Sequence, residues 1–415
     1  MHHLIAAILV ASACAPAPAQ VVTVPAAPPV LTLAEALDRA GIASPSREAA
    51  DAGRRAADAD RRIAALRPDP SVTLETENVG GSGLYRGVRA AETTAALTLP
   101  LERGGKRGAR IAFANARIDR AGLDGDIARA DLRLRVVQAY IAAVATRRRL
   151  TIAQDQVGIA GEALRVADAR VRAGRASPLE RQRADVLRLA AEGALERATR
   201  SAQLATTVLA RLTDGPVDAL DLDWFDRPPT GLSDRSLSGT LTAAAATADV
   251  ATADAAVRVA RSRRVPDLTI SAGARRLEQT NDIAAIVGVS LPIRVFDTGS
   301  AAIEAAAAQR ERADALRRAA LLDAELAVAG AQADAANAAV TARNANGPAL
   351  DAAVEAARIA RIGYREGKFP QIDLLDAERT LADTRMAAID ALATLHDAQA
   401  RLDRLTAPAN RDTRR

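Results

Sequence analysis

The sequence predicts a mainly α-helical chain with a transmembrane β-barrel portion: a long helical coiled-coil tunnel, four β-strands per chain, duplicated halves, and a trimeric 12-stranded barrel. Three observations carry this reading. Long proline-free intervals are rich in Ala, Arg and Asp/Glu at helical spacing. Four short segments alternate polar and apolar residues with period two. The chain also matches itself when slid by 193 positions, so that RVRAGRASPLERQRAD (170–185) meets GYREGKFPQIDLLDAE (363–378). That shift aligns Arg172 with Arg365, Gly174 with Gly367 and Leu179 with Ile372, and brings Arg211-Leu212-Thr213 onto Arg404-Leu405-Thr406.

Composition argues against ordinary globular domains. Apolar residues make up 49 % of the chain but aromatics only 2 %, so alanine takes the place of the rings that usually fill a core. Ala-rich sequence with interspersed charge points to long helices packed closely side by side. The net charge of +5 is small against 56 basic and 51 acidic residues, which reads as solvated helix faces rather than a nucleic-acid surface. Lys106 and Lys368 are the two lysines.

The N-terminus reads as a targeting segment. LIAAILVASA (4–13) has the length of a signal-peptide core, and Ala17 and Ala19 fit cleavage before Gln20, making residues 1–19 the signal. VASAC offers a second reading, in which Cys14 is lipidated after a lipoprotein signal. Either route takes the chain out of the cytoplasm. No other run approaches the ~20 apolar residues of a membrane helix, so any crossing must use strands.

Proline spacing places the helices, because proline breaks a helix interior. The intervals 100–178, 178–216, 292–348 and 370–408 each suit one long helix. Ile127, Ala130, Leu134, Val137, Ile141 and Val144 step by three and four, as do Ala388, Ala391, Leu395, Ala398, Leu402 and Leu405. Each set is a heptad seam in which small residues allow close approach. A column over 105–172 would reach about 100 Å at 1.5 Å per residue, the dimension of a rod or tube wall.

The four alternating segments are SVTLETEN (71–78), TAALTLPL (94–101), DLTISAGA (267–274) and AIVGVSLPI (285–293). Each is close to the ~9–11 residues that cross a bilayer at a tilt. The turns VGGSGLYRG and LEQTND carry Gly, Asn and Asp, as hairpin loops do. The organisation is therefore a first repeat over 31–214 with its strand pair at 71–101, a Pro/Asp-rich link over 215–231, a second repeat over 232–407 with its strand pair at 267–293, and a tail over 408–415. Four strands cannot close a barrel, and an open edge cannot face lipid. Three chains would supply twelve.

The whole plan resembles the TolC-type outer-membrane efflux protein family, the outer-membrane factors of tripartite pumps. The resemblance rests on the duplicated helix–strand–strand–helix plan, the opening LTLAEALDRA (31–40), the post-strand turn LPLERGGKR (99–107) and the paired turns at 170–185 and 363–378. The GGKR turn is similar to that of the heavy-metal resistance branch. The resemblance implies a homotrimer in the outer membrane of a Gram-negative bacterium, continued by a periplasmic tunnel. It implies as partners a periplasmic adaptor (membrane fusion) protein and an inner-membrane resistance–nodulation–division pump. The implied function is passive conduction of heavy-metal cations or small toxic compounds, with no cofactor and no enzyme activity. Two other roles stand beside it: the outer-membrane channel of type I protein secretion, and a periplasmic coiled-coil adaptor.

Both copies of the turn lie between long helices, so each is the bend of a helical hairpin. Gly174 and Gly367 suit a left-handed helix cap, and Pro178 and Pro370 suit the first turn of the next helix. The resemblance makes Arg172, Gly174, Ser177, Leu179, Gly367 and Pro370 the adaptor-contact tip, and Tyr364 and Arg365 candidates for a latch. It also matches Asp373 and Asp376 to paired aspartates at the channel entrance. Three-fold symmetry would gather these into a carboxylate ring that attracts cations, raising some of their pKa values by like-charge crowding. Acidic residues in a helix's first turns also simply suit its dipole. Catalysis finds little footing: His2 and His3 fall in the signal segment, His396 is alone, and GGKRG (104–108) lacks the spacing of a phosphate loop. With Cys14 the single cysteine, the mature chain has neither a disulfide nor a thiolate metal site.

Overall fold

The computed structural model describes residues 30–42, 44–227, 239–296 and 298–409. The signal segment, Cys14, the end of the link and most of the tail lie outside the described residues. β1 (Val30–Leu31) leads into α1 (Leu33–Ile42) and α2 (Pro45–Ala64). β2 (Ser71–Glu77), a short 3-10 turn (Gly83–Tyr85) and β3 (Glu92–Leu101) precede α3 (Lys106–Arg172) and α4 (Pro178–Thr213). After β4 (Ala219–Leu220) and α5 (Asp223–Asp226), the plan repeats as α6 (Leu241–Ser262), β5 (Leu268–Leu277), β6 (Asp282–Ser290), α7 (Ser300–Asn346), α8 (Pro348–Arg365) and α9 (Gln371–Leu405).

α3 runs unbroken for 67 residues, about 100 Å at 1.5 Å per residue. Its counterpart in the second half is split at Gly347-Pro348 into α7 and α8, because proline has no N–H to donate to the preceding turn. No helix among the described residues is long and apolar enough to cross a membrane. The helices stand in a row rather than around a centre. α4 packs on α3, α3 on α9, and α9 on α7 and α8; nearer the strands the row is α2, α3, α6, α7.

The four long strands form one antiparallel sheet in the order β2-β3-β5-β6. The two hairpins are joined through their inner strands, with Leu97 opposite Ala272 and Leu99 opposite Ile270. Register carries one apolar face across all four strands, since Val72 pairs with Leu97, Leu97 with Ala272, and Ala272 with Val287. The opposite face holds Ser71, Thr98, Ser271 and Gly288 in one line. Along β3 and β5 the apolar positions are the exposed ones, and the small polar positions are partly covered. The sheet therefore curves with its polar face inward and its apolar face outward, the sense required of a barrel wall in lipid.

The boundaries of the second hairpin differ from expectation. β5 continues to Leu277 and β6 begins at Asp282, leaving a turn of Glu278–Asn281 with Asn281 at φ 56°. β6 then stops at Ser290, so Leu291-Pro292-Ile293 lies beyond the strand, whereas its counterpart Leu99-Pro100-Leu101 lies within β3. The reason is pairing. β3 has β5 alongside to its end, while β5 begins at Leu268, opposite Leu291, so Pro292 and Ile293 have no strand beside them.

The helical seam in α3 also differs. Ile141 and Val144 are buried as expected, but Ile127, Ala130, Leu134 and Val137 are only half-buried, and Leu132, Val136, Ala139 and Ala143 are buried beside them. At mid-length α3 is enclosed by α1, α4 and α9, so burial follows several neighbours rather than one heptad stripe. The α9 seam agrees with expectation through Leu402, with Leu405 half-buried.

The segment expected as a mere link is part of the core. β1 pairs in parallel with β4, and Phe225 of α5 is fully buried. Trp224 stacks on His396 at 4.4 Å between ring centroids and meets Tyr140 edge-on at 5.3 Å. The Tyr140 hydroxyl donates to the Leu31 carbonyl at 2.9 Å, and burial pushes its pKa up to about 12. Arg148 clasps Asp226 with both guanidinium arms at 2.5 and 2.6 Å and lies over the Phe225 ring. In a chain so poor in aromatics, this girdle supplies the bulk that alanine cannot.

His396 is buried and hydrogen-bonded through Nε2 to the Phe225 carbonyl at 2.9 Å. Burial holds its pKa below the ordinary value, against the smaller raising effects of that carbonyl and of Asp226. An unfolded imidazole takes up a proton below about pH 6.5, and the folded one resists it, so stability present above that pH is lost as pH falls. Lowering the pH from 7 to 5 should lower the urea unfolding free energy of the wild-type chain by up to about 1.4 kcal/mol per pH unit more than that of His396→Gln. Parallel pH slopes for the two proteins would refute the role.

Candidate functional site

The two helical bends close with the same backbone geometry. After α3, Gly174 stands at φ 68°, its N–H donates to the Val171 carbonyl at 3.0 Å, and Arg175 N–H donates to the Arg170 carbonyl at 2.8 Å. After α8, Gly367 stands at φ 76°, its N–H donates to Tyr364 at 3.1 Å, and Lys368 N–H donates to Gly363 at 2.8 Å. These are equivalent bonds at the 193-residue shift. A left-handed residue here satisfies the last helical carbonyls, and glycine reaches it without strain.

The side chains diverge. Ser177 caps α4 by accepting from Leu179 N–H at 3.3 Å, and Pro178 occupies the first helical position. Pro370 was expected in the first turn of α9 but stands one residue earlier, at the cap, where it offers no side-chain acceptor. Phe369 instead packs against Gly363, where an added Cβ would lie 2.2 Å from a ring carbon. The first bend has Arg170 and Ala176 at the corresponding positions. Arg170 reaches across to the other hairpin, donating to the Tyr364 hydroxyl at 3.4 Å with its guanidinium 5.6 Å from the ring centre. Of the expected latch residues, Tyr364 therefore joins the two hairpins, while Arg365 is exposed and in no ion pair among the described residues. Its counterpart Arg172 is tied to Asp168 at 2.9 Å within its own hairpin.

α9 turns Gln371, Glu378 and Leu381 toward its neighbours. Glu378 takes a two-pronged ion pair from Arg361, one arm at 2.7 Å, locking α9 to α8. Asp373 and Asp376 fall on the opposite side of the helix, where both are exposed. Neither forms an ion pair among the described residues, and no hydrogen bond joins them to Tyr364 or Arg365. Leu179 and Ile372, equivalent in the two copies, are likewise exposed. Sequence reasoning missed Arg170, Gly363, Phe369 and the Arg361–Glu378 pair. The signal that could have found the first three is the difference between the copies at those positions.

At the other end of α3 the LPLERGGKR turn binds the sheet to the helices. Lys106 pairs with Asp267 at 2.7 Å, and Asp267 also accepts from Arg103 N–H at 3.1 Å. Arg107 donates to the Ala65 carbonyl at 2.6 Å, and Arg110 pairs with Glu102 and donates to the Leu66 carbonyl at 3.1 Å. The basic residues of this turn thus cap the end of α2 and clamp β3 to the start of β5.

An outward apolar sheet continues into a helical row about 100 Å long. The model of the outer membrane efflux protein family matches residues 36–215 and 232–407. The chain belongs to that family. The channel is 31 % identical over 325 residues to the cobalt-zinc-cadmium resistance protein CzcC of Cupriavidus metallidurans, covering 75 % of this chain and 76 % of that one. It is 32 % identical over 268 residues to the nickel-cobalt-cadmium resistance protein NccC of Alcaligenes xylosoxydans xylosoxydans, covering 60 % of this chain and 58 % of that one. In fold it is similar to the outer membrane protein VceC of Vibrio cholerae, with a TM-score of 0.73 at 19 % identity over 91 % of this chain and 96 % of that one. The sheet is the outer-membrane portion of an efflux channel, and the helices are its periplasmic extension.

Because Gly363 has no room for a side chain, Gly363→Ala should displace Phe369 and loosen the bend, a packing conflict of about 1–3 kcal/mol. Trypsin should cut after Lys368 faster in Gly363→Ala than in wild type. In a Phe369→Ala background the same substitution should add little. An equal increment in both backgrounds would show that the ring contact is not the cause.

Proposed function

We propose that three copies of this channel form a passive exit duct for divalent heavy-metal cations, fed by an inner-membrane resistance–nodulation–division pump through a periplasmic adaptor. The observation that carries the assembly is the pair of open sheet edges. β2 and β6 each have one partner, and hydrocarbon offers nothing to the backbone groups on their free sides. Joining β6 of one copy to β2 of the next satisfies both, and three copies give twelve strands. The helical row supports the same closure. Val186, Leu204 and Val208 lie exposed on α4 at one edge, and Leu316, Leu322 and Leu326 lie exposed on α7 at the other.

Three-fold closure would bring Asp373 and Asp376 of each copy around one axis. In no ion pair among the described residues, these carboxylates suit the screening of what enters. The relatives named for cobalt, zinc, nickel and cadmium resistance support cations as the cargo. The bends around Gly174 and Gly367, with exposed Leu179 and Ile372, suit the adaptor's contact. Arg170 and Tyr364, joining the hairpins, suit a latch.

In planar bilayers the wild-type channel should prefer cations, and Asp373→Ala/Asp376→Ala should move the reversal potential in a salt gradient toward zero and raise the resting conductance. An unchanged potential and conductance would remove the ring. Val186→Glu or Leu322→Glu should lower the yield of cross-linked trimer several-fold. Full recovery of trimer in both would place the contact between copies elsewhere.

A further inference from the structure

The rim where strands meet helices carries a large excess of basic side chains. The four segments 61–70, 102–110, 258–267 and 291–296 all adjoin the same end of the sheet, since β2 and β5 begin there and β3 and β6 finish there. Together they carry twelve Arg and Lys side chains against three carboxylates, Asp69, Glu102 and Asp267. The far rim, residues 75–92 and 275–282, carries four basic and five acidic residues and is nearly neutral. Two of the three carboxylates at the basic rim are already taken, Glu102 by Arg110 and Asp267 by Lys106. Elsewhere on the helices exposed arginines are commonly paired with an acid three or four residues away, as Arg165 is with Glu162 and Arg358 with Glu355. At this rim Arg62, Arg67, Arg103, Arg261, Arg263 and Arg264 are all exposed and in no ion pair among the described residues.

Exposed apolar side chains adjoin this charge. Leu66 is 64 % exposed, Ile293 is 86 % exposed and Phe296 is fully exposed. Arg103 follows Leu99 and Leu101 at the same alternation, so it continues the lipid-facing register of β3 past the strand's end. A belt of unpaired guanidinium groups interleaved with exposed apolar residues, directly below an apolar barrel wall, has the chemistry of a membrane interface. Guanidinium binds phosphate in a two-pronged geometry that the ammonium of lysine does not reproduce, and a basic segment beside a membrane-spanning element is drawn to anionic lipid.

We propose that this collar is a docking surface for the phosphate headgroups of anionic phospholipid in the periplasmic leaflet, fixing the depth of the barrel in the membrane. The proposal uses the membrane placement of the sheet and is independent of the cargo and of the aspartate ring.

The test uses the full-length channel reconstituted into nanodiscs of equal parts phosphatidylglycerol and phosphatidylethanolamine, re-extracted in mild detergent, with co-purifying lipid quantified by mass spectrometry. The wild-type protein should retain phosphatidylglycerol several-fold over phosphatidylethanolamine, and excess inorganic phosphate should leave that ratio intact. Replacing the six unpaired arginines by glutamine should return the ratio to that of the bulk lipid. Should the sixfold variant not assemble, the two threefold variants, Arg62/Arg67/Arg103→Gln and Arg261/Arg263/Arg264→Gln, should each lower the ratio. No enrichment in wild type overturns the proposal and leaves the collar to an acidic protein partner. Enrichment abolished by free phosphate, or unchanged in the glutamine variants, overturns it equally.

Discussion

The rest of the structure depends on an unsatisfied edge. The β2-β3-β5-β6 sheet pairs every inner strand and leaves the outer sides of β2 and β6 bare. Water can hydrogen-bond such an edge and lipid cannot. The continuous apolar face of the sheet nevertheless assigns it to lipid. A single copy is therefore an incomplete wall, and both the row-like arrangement of its helices and the exposed leucines at the ends of that row fit the same incompleteness.

Rigidity over such a length needs a different solution from that of a globule. Alanine lets helices approach closely but gives each contact little area, so the long helices are held mainly by many small buried residues. The larger side chains are concentrated at one level, where Tyr140, Trp224, Phe225 and His396 meet. There the connection between the repeats passes back through the core and ties α3 of the first repeat to α9 of the second. The two ends of the helical row lack such a girdle. One end is clamped by the basic turn around Lys106 and Asp267, and the other is bridged by the half-buried Arg170–Tyr364 contact at 3.4 Å.

Duplication separates what the backbone needs from what each copy does with it. The bends share their glycine, their left-handed cap and their closing hydrogen bonds. They share none of the side chains that pack on those bends. Ser177 caps one helix where Pro370 stands bare in the other, and Phe369 packs on Gly363 where the first copy sends Arg170 across to Tyr364. The closing geometry is common to both repeats, and the side chains around it are not.

The sequence by itself determined the helix lengths, the four strands and the two bends, because proline placement, period-two alternation and glycine at a left-handed cap are local rules. Asp373 and Asp376 were legible as a pair one helical turn apart for the same reason. Only the tertiary structure decided which strands meet, that β6 ends before Leu291, that α3 is buried on several sides, and that Trp224, Phe225 and His396 form a core. The joining of β3 to β5 and the stacking of Trp224 on His396 bring together residues more than a hundred positions apart in the chain, which no local pattern encodes. The basic rim belongs between the two: its arginines are plain in the sequence, but four separated segments become one belt only when the strands align their ends.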